Sequence, residues 1–214
     1  MDLPIVLAPN PFPSCGDAPE RQYRVAVTSD KADRRGLWDG AAVRARTAAM
    51  SRRDPGHQRF GSSHHGYRLR PPLAEDTVRL FEQQHDVRLP ASYRSFLKDV
   101  ADGGAGPDYG LLGLTEEVDD DEALHDLREE GRRVGFLATP FPHTTEWPGP
   151  GKNGDANYSV GGSLVIGERG CGMFHRLVVT GRNAGQVWLD DPDWGGLTPG
   201  PDFRDWYLAW LATT

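Results

Sequence analysis

Apolar residues recur at helical spacing through much of the chain and at strand spacing near its end. In Glu75–His85, Val78 and Phe81 share one helical face, with Leu80 beside it. In the next stretch Tyr93, Phe96, Leu97 and Val100 recur at i, i+3, i+4 and i+7, which predicts a second helix burying one stripe. Pro90 suits its first turn, where a missing N–H costs nothing. Gly103–Gly104 is expected to stop it, because glycine accepts the left-handed conformation of a helix end. Tyr109–Leu114 (YGLLGL) reads as a short apolar strand or a turn.

The stretch EEVDDDEALHDLREEGRR predicts a helix with an acidic start and a basic end, the order that complements the helix dipole. Phe136–Trp147 reads as extended and punctuated by proline, and PGPGKNGDANYSVGG as a loop. Three strands are expected next: Ser163–Gly167, Met173–Thr180 and Gln186–Asp190. The turns GERGCG and GRNAG join them as consecutive hairpins. The chain closes in a helix capped by Asp202, with Asp205 three residues on. Phe203, Trp206, Tyr207, Trp210 and Leu211 form its wide apolar stripe. Helices, then hairpins, then a helix make an α+β fold, not a parallel α/β sheet.

The first part of the chain is patterned less sharply. Ile5–Ala8 and Tyr23–Thr28 are β-like runs around a proline-rich turn. Lys31–Arg53 reads as a helix broken near Gly36–Gly40, with a thin apolar face. Asp54–Gly66 (DPGHQRFGSSHHG) reads as a loop.

Composition narrows the classes. Of 214 residues, 37% are hydrophobic and 26% charged, and Gly and Pro number 26 and 17, which disfavours a helical bundle. The net charge of −7 argues against a general nucleic-acid binder. The charge is uneven. Residues 1–74 carry 12 Lys/Arg against 7 Asp/Glu, and residues 75–214 carry 12 against 24. Two regions with different roles, or a basic arm lying on an acidic body, would both give this split. No run of eighteen apolar residues is present, and the start lacks the basic region of a signal peptide, so a cytoplasmic location is expected. Cys15 and Cys171 form neither a disulfide framework nor a zinc set.

One resemblance rests on particular residues: Phe81-Glu82, the Leu89-Pro90 turn, Tyr93-Arg94-Ser95-Phe96-Leu97 and Gly103-Gly104, in that order. The strands LVIGE, LVVTG and QVWLDD and the closing helix DFRDWYLAWL follow. This order resembles the SUKH superfamily, which includes yeast cell-wall-synthesis regulators and many bacterial toxin-immunity proteins. The likeness covers roughly residues 58–212. It implies a SUKH-like domain over 58–214, with a mixed or antiparallel sheet and flanking helices, and residues 1–57 as an N-terminal extension. Each matching residue also has a structural reason to be present, so the likeness supports a fold and no reaction.

The candidate chemistry is sparse. Cys171 and His175 are a nucleophile and a base by type, but four residues of strand separate them by roughly 13 Å. His57, His64 and His65 share a loop with Asp54, without helical ligand spacing for a metal. GERGCG lacks the order of a phosphate-binding loop, and Asn157-Tyr158-Ser159 is a glycosylation sequon by pattern only. No cofactor or metal is expected. Two acidic clusters stand out: Glu116, Glu117, Asp119, Asp120, Asp121 and Glu122, and then Asp190, Asp191 and Asp193 with Trp194. Neither has calcium-loop spacing. Carboxylates beside an aromatic suit a surface for a basic partner.

The resemblance therefore implies a non-enzymatic binding protein: an immunity protein that neutralises a toxin domain, such as a nuclease, by direct contact. The expected partner is a basic toxin domain, with neither membrane nor nucleic acid bound directly. The alternative is a regulatory scaffold binding endogenous proteins. A small hydrolase using Cys171 is the reading from another class.

Overall fold

The turn between the first two strands sets the architecture of the sheet. Cys171 and Gly172 both adopt positive φ, 54° and 73°, between the paired residues Gly170 and Met173. A two-residue turn of this kind matches the twist of antiparallel strands. The computed structural model describes residues 38–115, 122–149, 158–192 and 196–213. In it β1 (Ser163–Gly170), β2 (Met173–Val178), β3 (Gln186–Asp191) and β4 (Gly196–Asp202) form one antiparallel sheet in sequential order.

The helices are α1 (Gly40–Arg53), the single turn α2 (Ser62–His65), α3 (Glu75–His85), α4 (Ala91–Asp99), α5 (Glu122–Arg132) and α6 (Phe203–Leu211). The fold is α+β, as the pattern predicts. The expected strands at Ile5–Ala8 and Tyr23–Thr28, the start of the Lys31–Arg53 helix and the loop 150–157 lie outside the described residues.

Alternation along the strands divides the core into two layers. Leu164, Ile166, Leu177, Val179 and Val187 face α1, α3, α4 and α6. Phe96 and Tyr207 meet there edge to face at 4.7 Å. Trp38 lies against both, at 5.2 Å and 5.7 Å, and its indole N–H donates to the Ser92 carbonyl. On the opposite face, Phe141, Val160, Val178, Trp188 and Leu197 form one cluster, and Leu124, Val165 and Phe174 another. Residues 38–50 thus contribute to the same core as the body. Trp38, Val43 and Met50 are buried in it.

The structure adds to and alters what the pattern predicts. Beyond the three expected strands, GLTPGPD forms β4, an edge strand, where proline costs no ladder bond. Helix α4 ends at Asp99, before the two glycines. Gly103 and Gly104 serve a close crossing of the backbone instead: a Cβ at Gly104 would lie 2.3 Å from the Arg68 carbonyl oxygen. Tyr109–Leu114 runs along the β1 edge, where the Tyr109 and Leu112 N–H groups donate to the Glu168 and Ile166 carbonyls. Trp147 pairs with Leu197 across the β4 edge. Strand edges covered in this way offer fewer free backbone groups to another chain. Among the described residues no helix is long and apolar enough to cross a membrane.

Candidate functional site

The second acidic cluster does not lie wholly on the surface. Asp190 is fully buried. Register places it on the same sheet face as Trp188 and Phe174, with Arg176 on the neighbouring strand. Arg176, also buried, donates from Nε to Asp190 Oδ2. The Tyr158 hydroxyl donates to both carboxylate oxygens, at 2.9 Å and 2.8 Å. Burial pushes the Tyr158 hydroxyl's pKa upward. Asp190 is therefore corrected from a partner contact to half of an interior ion pair. The signal was present in the alternation: Trp188 and Asp190 are two residues apart and point the same way.

Asp191 pairs with Gly196 and is partly exposed. Asp193 and Trp194 lie outside the described residues, as do Glu116, Glu117, Asp119, Asp120 and Asp121. Glu122 opens α5. The described residues flanking the two clusters converge. Leu124, in the first turn of α5, packs with Val165 and Phe174, and Phe174 is the cross-strand partner of Asp190. The start of α5 and the end of β3 thus share one face and one end of the sheet. Arg128 fastens α5 there, donating to the Gly113 carbonyl at 2.6 Å and the Val165 carbonyl at 3.2 Å.

Cys171 and His175 sit in different surroundings. Cys171 is exposed in the hairpin turn. His175 is buried against Trp206, and its Nε2 lies 2.7 Å from Asp108 Oδ2. That nitrogen is engaged by a carboxylate, not by the thiol.

The histidine loop is organised around Asp54. Its carboxylate accepts from the Tyr67 hydroxyl at 2.6 Å, the Gln58 N–H at 2.7 Å, and the Arg59 N–H and Ser62 hydroxyl at 3.2 Å. The Tyr67 hydrogen bond is the main reason its pKa falls to about 2. His65 is buried, accepts the Tyr67 N–H at Nδ1, and packs on Trp210. Burial, reinforced by His64 and His57, holds its pKa down to about 4. His64 turns away and stacks on Tyr109 at 4.0 Å. Among the described residues no three metal-ligating side chains group together.

Polar residues for which the sequence reading named no contact hold the fold. Glu82 accepts the Leu89 N–H at 3.0 Å and binds Arg94, which also reaches Glu75 at 2.5 Å. Lys98 joins Glu75 at 2.6 Å. Asp102 is buried and accepts the Leu114 N–H at 2.6 Å and the Thr115 hydroxyl at 2.8 Å. A carboxylate just before Gly103-Gly104 was the available clue to a loop anchor.

These anchors fall within the part of the chain that comparison with known families picks out. The SMI1/KNR4 family (SUKH-1) matches residues 72–208, well over half of the sequence. The search of curated proteins gives no match. The family pattern contains the helices α3 and α4, the four strands and most of α6, and the chain belongs to the SMI1/KNR4 family (SUKH-1).

Proposed function

We propose that the chain is a non-enzymatic binding protein, an immunity protein that neutralises a toxin domain by direct contact. Family membership carries the reading. Two features of the chain support it. The one candidate base, His175, is engaged by Asp108. The dense carboxylates of Glu116–Glu122 adjoin α5, and their described flank shares a sheet end with the flank of Asp193 and Trp194. Carboxylates this dense in sequence suit a basic partner, a nuclease toxin being one whose nucleic-acid site is itself basic. Opposed charge speeds encounter and rejects wrong partners. The contact is with protein, in the cytoplasm, without cofactor.

The test is protection. The chain is used to capture its partner from the native cell, and the captured domain is then expressed in a host with and without it. Survival only in the presence of the chain supports immunity. A captured partner that is harmless alone favours the regulatory-scaffold reading instead.

A further inference from the structure

Residues 38–70 carry seven arginines and only two carboxylates. Both carboxylates are committed: Asp39 caps α1 through the Ala42 N–H, and Asp54 gathers the loop around itself. The segment joins the body through the apolar side chains of Trp38, Val43 and Met50, and Arg44 and Arg59 donate to the Val100 and Thr213 carbonyls. Arg52, Arg53 and Arg68 are exposed and make no ion pair among the described residues.

These cations belong to one local structure. Arg53 directly precedes Asp54, whose carboxylate pulls Gln58, Arg59, Ser62 and Tyr67 together. The ring of exposed His57 lies 5.9 Å from Tyr67. Over Gly66, a Cβ would lie 3.5 Å from Arg68 Nε and 3.8 Å from His57 Cε1, so both side chains flank that glycine. The same loop contributes to an aromatic stack. Phe60, 44% exposed, stacks on Tyr109 at 5.5 Å, and His64 on the same ring at 4.0 Å. The helix dipole gives Arg52 and Arg53 a structural reason to sit in the last turn of α1. It gives none to Arg68, His57 or an open Phe60, which lie outside that helix.

We propose that Arg52, Arg53, His57 and Arg68, with Phe60 and His64, form a second binding face, of opposite sign to the acidic one. Its occupant is an acidic protein segment: a partner loop or terminus with several Asp or Glu and an apolar or aromatic anchor. Guanidinium groups bind carboxylates through paired donors. An exposed aromatic beside arginines is the composition of an interface hot spot. Charge reach selects a short segment over a polynucleotide. The patch is local, and a long phosphate chain leaving it would cross a body in which residues 75–214 carry 12 Lys/Arg against 24 Asp/Glu. Arg52, Arg53, His57, Phe60, His64 and Arg68 lie outside the residues that match the family.

The experiment measures fluorescence anisotropy of a labelled twelve-residue peptide of Glu and Asp with two Tyr, mixed with the full chain at low salt. A labelled twelve-residue thymidine oligonucleotide is run in parallel. The acidic peptide is expected to bind, and to weaken as salt rises. The triple variant Arg52→Glu, Arg53→Glu, Arg68→Glu is expected to bind at least tenfold more weakly, and Phe60→Ala about threefold more weakly. Both variants are first checked for an unchanged far-ultraviolet spectrum and melting temperature. Reversal of two other exposed arginines, Arg88→Glu with Arg182→Glu, should leave binding unchanged. Absent binding, an unaffected triple variant, an equal loss in the control variant, or tighter binding of the oligonucleotide each overturns the proposal.

Discussion

Glu82 and Arg94 meet across the turn that joins α3 to α4. Arg94 Nε lies 3.1 Å from Glu82 Oε1 and 3.2 Å from Oε2, while Oε1 also takes the Leu89 N–H at 3.0 Å. One carboxylate therefore fixes both the Leu89-Pro90 turn and the helix behind it. This gives Glu82 and Arg94 a structural reason to be present. Glu82→Ala is expected to cost about 2 kcal/mol, the scale of a lost charge-assisted bond that leaves donors unmatched. Arg79→Ala, at an exposed pair, should change stability by less than about 0.5 kcal/mol. Urea unfolding of both variants measures the difference.

Trp38 touches Phe96, Phe203 and Tyr207, although it precedes the family match by more than thirty residues. Trp38→Ala is expected to cost about 3–5 kcal/mol, and Leu97→Ala or Trp206→Ala a similar amount. A chain begun at residue 72 should melt far below the full chain or not fold cooperatively. Calorimetry of the truncated chain decides this. An unchanged melting temperature would remove α1 from the core.

Cys171 occupies a turn position that favours glycine or asparagine, since its φ is 54°. A left-handed conformation costs an ordinary residue about 1–2 kcal/mol. Cys171→Gly should therefore raise stability, by up to about 1 kcal/mol after the entropy of glycine is subtracted. Protection by the chain should be unchanged. A loss of protection in this variant would instead give the thiol a chemical role.

Stability should fall on acidification in two steps with different owners. Buried His65 resists protonation until about pH 4, whereas an unfolded histidine takes its proton near 6.5. The unfolded chain therefore binds more protons in that window, and the contribution, complete above pH 6.5, is lost as pH falls towards 4. Asp54, held down to about 2 by Tyr67, acts next: its contribution is lost between about 3.8 and 2. Melting temperature against pH is expected to fall less steeply between 6.5 and 4 in His65→Gln than in the parent chain. Parallel curves would contradict this assignment.

What the sequence revealed, and what it hid, follows from the range of the forces involved. Glu75–His85 appears with its predicted bounds because local periodicity and end signals agree. Phe203, Trp206, Tyr207 and Leu211 are buried as their stripe predicts. Strand β4 was hidden because Pro199, Gly200 and Pro201 signal a turn, and only pairing with β3 makes it a strand. Leu80 reads as lying beside the buried face of α3 and is 54% exposed, at the boundary of that face. Asp190 misled for a related reason. Its partner Arg176 is fourteen residues away, and no local pattern shows that a carboxylate at a strand end has an interior cation waiting for it.

The fate of Asp190 separates two kinds of acidic residue. Asp190→Asn should destabilise the chain by about 3–5 kcal/mol, because it leaves Arg176 buried without its counter-ion. Its effect on a partner should appear only through folding, as equal rate constants for the fraction that remains folded. Chemical denaturation together with binding of the folded fraction tests both halves.

Kinetics with the captured partner test the central claim, that carboxylates of this chain engage a basic protein. Surface-plasmon measurements at low and high salt compare the parent with Asp119→Asn, Asp120→Asn, Asp121→Asn combined, and with Trp194→Ala. Neutralising the three aspartates should slow association at low salt and leave it nearly normal at high salt, while Trp194→Ala should speed dissociation at both. Association and dissociation rates unchanged in both variants would contradict the account and place the interface elsewhere on the molecule.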